Sequence, residues 1–330
     1  MEQRSLGSSG VTVSRIGMGC GAVGGLMVRG DLSDQRRSVA RALDAGINYF
    51  DTAPSYGDGR SEENLGRALR SLGNSAQAQV GTKVSLAPGD LAQPEKAVRR
   101  SLEDSLRRLG RDSVDLFQLH NPLRAPGAAE GHHLDRDFVL DEVAGAMSRI
   151  VEQGLAGHIG FTGLGDTESV RRTALDGPFE TVQTYFNAIN PSAVWAEASG
   201  GEQDFEGFVG AAAERGLGVI NIRVYAAGAL AGDVPRHPLA GQMGDGRGLV
   251  DGAGYVGDVG RSGRLSSIAA ELGLESTMEL GLRFAIAAPG ISTVLVGLSS
   301  FEQLEAALRW NDRGPLHEAE VSRVIVLARA

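Results

Sequence analysis

Four side chains of different chemical type stand at the ends of apolar runs or just beyond them. Asp51 follows Ile47 to Phe50, Tyr56 lies in the next loop, PSYGDG, Lys83 follows Gln79 to Thr82, and His120 follows Val114 to Leu119. A phenol with an ordinary pKa of about 10 is a poor acid at neutral pH unless a nearby cation stabilises its anion. Lys83 is such a cation, Asp51 would keep it charged and oriented, and His120 would hydrogen-bond a substrate oxygen or help to relay a proton. Together they would protonate an alkoxide as hydride reaches the attached carbon, or run that step backwards on an alcohol. Tyr56 and His120 would then touch the substrate. Hydride has to come from a bound cofactor, because no side chain can donate it. Taken singly, Asp51 could cap a loop, Lys83 could be solvated and His120 could be a satisfied core histidine; their alignment at the ends of consecutive strands is what argues for a site.

The elements that must position these groups alternate along the chain. Leu6 to Gly10 and Val11 to Ile16 read as a short hairpin turning at GSSG, and Ser14 to Met18 as the first strand of the main sheet. Apolar periodicity and caps predict helices at Ser33 to Gly46, Glu62 to Leu72, Pro94 to Leu109, Phe138 to Gln153, Glu168 to Leu175 and Phe205 to Arg215. Strands Ile47 to Phe50, Gln79 to Thr82, Val114 to Leu119, Ile159 to Phe161, Thr181 to Val182 and Val219 to Ile222 take turns with them. A last helical region, Ser266 to Ala288, precedes strand Thr293 to Val296.

About eight strands in βα alternation, with no Pro/Ser-rich linker, predict one domain over residues 1–330: a (β/α)8 TIM barrel with a short N-terminal β-hairpin. Chemistry in such a barrel sits at the C-terminal strand ends, where the sequence places Asp51, Lys83, His120, Thr162, Gln183 and Arg223. An open doubly wound sheet competes, because Gly19-Cys20-Gly21-Ala22-Val23-Gly24 fits G-x-G-x-x-G. No helical pattern opens straight from those glycines, as a pyrophosphate-binding turn requires. A glycine-rich strand end at a barrel mouth, with Gly19 and Gly21 letting a cofactor approach closely, accounts for them instead.

Composition narrows the class. The 330 residues carry a net charge of -9 and no basic stripe, so nucleic acid is not an expected partner. No apolar run reaches the ~18 residues of a membrane span, and MEQRSLGSSG lacks the apolar stretch of a signal peptide, which predicts a cytoplasmic protein without a membrane partner. The single cysteine, Cys20, fits a reducing compartment and reads as a buried small residue. His132, His133 and Asp135 resemble a metal cluster, but they share one loop without strand-end partners, so no metal site is expected. The oligomeric state is not legible.

NYFDTAPSYGDGRSEENLG, VGTKV and DLFQLHNP, in this order, resemble the aspartate-tyrosine, lysine and histidine segments of the aldo-keto reductase superfamily, and the resemblance covers nearly the whole chain. It implies a (β/α)8 barrel that binds NAD or NADP, with Tyr56 as proton donor and Asp51, Lys83 and His120 completing a tetrad. It also implies cofactor contacts at Asp51, at Thr162 in Ile159-Gly160-Phe161-Thr162-Gly163, and at Gln183 in VQTYFN, the last two towards the carboxamide. In INIRVYAAGAL, Ile222 stands where a ring often stacks on nicotinamide, and Arg223 where a serine is usual. Arg223 is expected to reach the pyrophosphate, or to form an ion pair at the rim. Val296 to Gln303 resembles the adenosine-phosphate loop, with contacts at Gly297, Ser299 and Gln303. Gly297 and Gln303 replace the Lys and Arg that clamp a 2′-phosphate in many relatives, which favours NAD.

The expected substrate is a small carbonyl, alcohol or sugar, recognised chiefly by Pro122 to Asp137 and Ala226 to Arg264. Similarity of Thr162-Gly163 to NAD-linked aldose dehydrogenases adds a narrower alternative, oxidation of a sugar to a lactone. A non-catalytic cofactor-binding regulatory subunit and a metal-dependent barrel hydrolase are alternatives of other classes.

Overall fold

The computed structural model describes residues 1–73, 77–196, 198, 203–232, 235–241 and 254–329. Its strands are β1 (Gln3–Ser5), β2 (Thr12–Ser14), β3 (Ile16–Gly19), β4 (Tyr49–Asp51), β5 (Gln79–Val84), β6 (Val114–Leu119), β7 (Leu123–Arg124), β8 (Leu134–Asp135), β9 (Ala156–Gly163), β10 (Thr181–Tyr185), β11 (Gly218–Ile222) and β12 (Thr293–Gly297). Eight of them close a parallel barrel in the order β3-β4-β5-β6-β9-β10-β11-β12, with β12 returning to β3. Parallel neighbours need a crossover, and helices supply it. They are α1 (Leu26–Arg29), α2 (Leu32–Asp44), α3 (Arg60–Leu72), α4 (Pro94–Leu109), α5 (Arg136–Phe138), α6 (Ala144–Glu152), α7 (Thr167–Asp176), α8 (Phe208–Glu214), α9 (Tyr255–Glu271), α10 (Thr277–Ala287), α11 (Phe301–Asp312) and α12 (Glu318–Ala328).

Local chemistry explains the boundaries. Asp31, Asp166, Ser276 and Ser300 accept hydrogen bonds from the backbone N–H groups of Asp34, Ser169, Glu279 and Gln303, capping α2, α7, α10 and α11. Pro94 opens α4, and α4 then buries Val98, Leu102, Leu106 and Leu109, one stripe at helical spacing, against the barrel.

The barrel matches the sequence expectation, with shifts at several elements. The hairpin pairs Gln3, Arg4 and Ser5 with Ser14, Val13 and Thr12, so Leu6 to Val11 is the connection and not an arm, and Ile16 belongs to the barrel. Leu6 and Val13 pack with Tyr49, Leu116, Ile220 and Leu295, and the Ser8 N–H bonds Gly216 O just ahead of β11, so the hairpin plugs the N-terminal end of the barrel. The Ser266 to Ala288 region is two helices: α9 begins at Tyr255, and Gly273 and the Ser276 cap separate it from α10. The Phe138 to Gln153 helix contains a π-helical turn, Val139–Val143. α11 starts inside the segment read as a phosphate loop, and α12 is additional.

Candidate active site

The barrel registers bring the strand-end residues together. Asp51 is the last residue of β4, Lys83 the penultimate residue of β5, and His120 follows β6, so three adjacent strands present them at one mouth. Lys83 is wholly buried, and its ammonium uses its three donors on Asp51 Oδ1 (2.5 Å), Thr52 O (2.8 Å) and Tyr56 Oη (3.2 Å). The loop after β4 folds Tyr56 back through its own N–H to Ala53 O, and the ring meets His120 edge to face at 5.7 Å.

Asp51 is more heavily bonded than its sequence position reveals. Its Oδ2 accepts from Gln183 Nε2 (2.6 Å), Gln118 Nε2 (3.2 Å) and Tyr49 Oη (3.3 Å). Tyr49 and Gln118 escape the sequence reading, although a signal exists: side chains two apart on a strand share a face, so Tyr49 lies below Asp51 and Gln118 below His120. Gly81 completes this layer because a Cβ there would come within 2.5 Å of Tyr49 Oη. Gln118 Oε1 is buried with no partner among the described residues.

These contacts set the protonation states. Burial opposes the charge on Lys83, but Asp51 and Tyr56 outweigh it and hold the ammonium above its ordinary pKa. Burial raises Tyr56 and Lys83 pulls it back, with a net upward shift, so the phenol carries its proton at neutral pH. Sequence reasoning expects Lys83 to ease this ionisation; the pull exists, but burial exceeds it. Burial, then Lys83, lowers His120 to about 3, so His120 is a neutral hydrogen-bonding imidazole and not a charged proton relay.

Above this cluster opens a cavity of about 580 Å³, within the size range of small-molecule sites. Tyr56, His120 and Asp51 line its reacting end, and Lys83 is sealed behind them. Every residue expected to meet the cofactor also borders it: Gly19, Gly21, Thr162, Gln183, Ile222 and Arg223. So do Gly297, Ser299 and Gln303. Thr162 Oγ1 reaches Gln183 Oε1 at 3.5 Å. Gln183 lines the cavity, and with its amide nitrogen committed to Asp51 its Oε1 remains as an acceptor. Gly24 lets two loops touch, since a Cβ there would come within 2.5 Å of the Leu298 backbone. The Ser299 N–H bonds Gln303 Oε1 at 2.7 Å, so Gln303 ties its own loop.

The two loops expected to recognise substrate differ. Ala227, Gly228, Arg236 and His237 of the second loop line the cavity, Val224 and Tyr225 line it just ahead of that loop, and among the described residues none of the lining comes from Pro122 to Asp137. Residues 233–234 and 242–253 of the second loop lie outside the described residues. Asp135 caps α5 and accepts the Gly127 N–H, His133 bonds Glu130 O, and no group of three metal-binding side chains occurs among the described residues. Among those residues no helix is long and apolar enough to cross a membrane. Cys20 is buried beside Asp51, and burial, then Asp51, pushes its thiol well up, as suits an inert packing residue.

The closed parallel barrel thus holds a buried lysine-aspartate pair, a protonated tyrosine and a neutral histidine together at its mouth, beside a cavity of small-molecule size. The profile of the aldo/keto reductase family matches residues 15–327, and the chain belongs to that family. It is an NAD(P)-dependent oxidoreductase acting on carbonyl or alcohol groups. Aldo-keto reductase YhdN of Bacillus subtilis is 32% identical over 192 residues, 57% of this chain and 54% of that protein. L-galactose dehydrogenase of Arabidopsis thaliana is 28% identical, covering 92% of this chain and 86% of its own. A probable voltage-gated potassium channel subunit beta of Oryza sativa subsp. japonica is 26% identical, covering 97% and 94%. Among solved structures, the holo form of an aldo-keto reductase from Bacillus halodurans superposes with a TM-score of 0.74 at 23% identity, covering 100% of this chain and 97% of that one.

Proposed function

We propose that Tyr56 is the proton donor of a reaction that interconverts a small carbonyl compound and its alcohol, with Asp51, Lys83 and His120 completing the catalytic group. The observation that carries this reading is the unbroken run of hydrogen bonds from Asp51 through Lys83 to Tyr56, at 2.5 and 3.2 Å, ending in the cavity. A reduced nicotinamide would supply hydride to the carbonyl carbon. Tyr56 gives its phenolic proton to the oxygen, and the adjacent Lys83 ammonium stabilises the phenolate left behind. His120, neutral, donates a hydrogen bond to that same oxygen and so fixes the substrate beside Tyr56. In the direction of oxidation the phenolate takes the proton back.

Gln183 and Thr162 would hold the carboxamide, Gly19, Gly21 and Ile222 would lie against the nicotinamide half, and Gly297, Ser299 and Gln303 would hold the adenosine half. We favour NAD, because Gly297 and Gln303 offer no cation to a 2′-phosphate. A narrower reading, NAD-linked oxidation of an aldose to a lactone, draws on Thr162-Gly163 and on the likeness to L-galactose dehydrogenase. The likeness to a channel beta subunit raises a regulatory role, but the complete Asp51-Lys83-Tyr56 run favours turnover. Steady-state assays with NADH, NADPH, NAD and NADP against aldehydes, ketones and free sugars test the reading. Efficient turnover with NADH and aldehydes supports it. Efficient turnover only of free sugars with NAD selects the aldose reading, and no turnover with any pair rejects both.

A further inference from the structure

The buried lysine-aspartate pair is flanked by two threonines. Thr52 follows Asp51 at the end of β4, and its N–H continues the ladder to Gly81 O at 2.9 Å; Thr82 precedes Lys83 in β5. Side chains alternate across a strand, so with Asp51 and Lys83 turned into the barrel mouth the two threonines turn outwards, towards α3. Both are wholly buried, and their hydroxyls end on consecutive residues of the first turn of α3. Thr52 Oγ1 lies 2.8 Å from Ser61 Oγ, and Thr82 Oγ1 donates to Glu62 Oε1 at 2.5 Å. Glu62, itself wholly buried, accepts from Arg108 Nε of α4 on its other oxygen at 2.6 Å.

Thr52 has a second connection, into the site. Its carbonyl is one of the three acceptors of the Lys83 ammonium, at 2.8 Å. The direction of its hydroxyl bond follows from counting donors: Ser61 has one hydroxyl hydrogen, spent on Cys20 O at 2.8 Å, so Thr52 donates to Ser61. The Cys20 N–H bonds Asp51 O at 2.8 Å, and the Ser61 N–H bonds Tyr56 O at 3.2 Å. The loop from Thr52 to Ser61 thus leaves the barrel at a lysine acceptor, carries Tyr56, and is tied back to its own first residue by the two hydroxyls. Neither Thr52 nor Ser61 borders the cavity, so the hydroxyl pair acts on the Lys83-Tyr56 contact, at 3.2 Å, and not on a bound molecule.

We propose that Thr52 and Ser61 are positioning residues for the reaction: their paired hydroxyls hold the Thr52 carbonyl on the Lys83 ammonium, and so hold that ammonium within reach of Tyr56 Oη. Lys83 spends its three donors on Asp51, Thr52 and Tyr56. When Thr52 loses its anchor, the ammonium is drawn towards the carboxylate, the strongest of these acceptors, and away from the phenol. The phenolate left by proton transfer is then less well stabilised, and the loss falls on the transition state while cofactor binding is spared. This rests on the proton-donor reading of Tyr56 given above and extends it to two residues outside the cavity.

The test uses a matched pair at Thr52. Thr52→Val keeps the branched shape and removes the hydroxyl, whereas Thr52→Ser keeps the hydroxyl and removes a methyl group. Turnover of the best aldehyde with NADH, expressed per NADH-binding site so that unfolded chains do not count, should fall by about tenfold in Thr52→Val, and Thr52→Ser should recover most of that loss. Fluorescence titration should show NADH bound within about threefold of the original affinity in both. Ser61→Ala, which leaves Thr52 intact, should lose kcat by a similar factor and decides the matter alone should Thr52→Val not fold. Adding it to Thr52→Val should cost little more, because both variants remove the same bond. Near-full kcat in Thr52→Val, or in Ser61→Ala, overturns the inference. A larger loss in Thr52→Ser than in Thr52→Val also overturns it, since the methyl group and its packing are then what matter, as do losses that multiply in the double variant or follow weaker NADH binding. Persistence of turnover in Tyr56→Phe, measured alongside, is the separate sign that the proton-donor reading itself has failed.

Discussion

Gln183 Nε2 donates to Asp51 Oδ2 at 2.6 Å, so the side chain proposed to read the carboxamide is bonded to the same carboxylate that holds Lys83. The proposed cofactor end and the proposed proton-donating end of the cavity thus share one residue. Asp51 is accordingly the hub of the site, with four side-chain donors converging on its two oxygens.

Removing one of those donors should be felt at Tyr56 without direct contact. In Gln118→Met, Asp51 loses a charge-assisted bond, and kcat should fall by about tenfold while the KM for NADH changes much less. A variant with unchanged kcat and only a lower melting temperature would assign Gln118 to packing alone.

The layer beneath Asp51 is closely fitted. Gly81→Ala places a methyl group 2.5 Å from Tyr49 Oη, and the overpacking should destabilise the fold by about 1–3 kcal/mol in urea unfolding. Adding Tyr49→Phe to the same chain removes the clashing oxygen and should restore part of that loss. No recovery in the double variant would mean that the strain lies elsewhere.

His120 gives a pH signature. Its folded pKa of about 3 lies below the ordinary value of 6.5, so between those values the unfolded chain binds one more proton than the folded one. This contribution to stability is fully present above about pH 6.5 and is lost as pH falls towards about 3. Melting temperatures of the intact protein and His120→Gln, compared across that window, should diverge in this sense, with the intact protein losing more on acidification. Parallel curves would place His120 in a more solvated setting.

The proposed adenosine loop offers a way to engineer the cofactor preference. Gln303→Arg supplies a cation at the position where relatives carry one, and it should raise the NADPH-to-NADH ratio of kcat/KM by about tenfold or more. The Ser299 N–H loses its 2.7 Å partner in that variant, so some loss with NADH is expected as well. An unchanged ratio would show that another group already controls the 2′ position.

What was legible in the sequence follows from physical contrast. Asp51, Lys83 and His120 are visible because each interrupts an apolar stretch, and the barrel follows from the regular alternation of such stretches with capped helices. Tyr49 and Gln118 are not legible because they lie inside strands, where one polar atom among apolar neighbours gives no periodic signal until the inward face is known. The N-terminal half of α9 is hidden because Gly257, Gly260 and Gly263 dilute its helical pattern. With it went the Asp258-Arg261 pair, which leaves Arg223 without a salt-bridge partner among the described residues. Protonation was the least legible feature, since the raised pKa of Tyr56 depends on burial that no linear pattern reports.

The central claim is that Tyr56 transfers the proton, and it is tested most directly by Tyr56→Phe, which removes one oxygen from a ring that keeps its packing. Turnover of the best aldehyde with NADH should fall by about a hundredfold to ten-thousandfold, while fluorescence titration shows NADH bound within about threefold of the original affinity. Turnover at the original rate, with the cofactor still bound, would contradict the account.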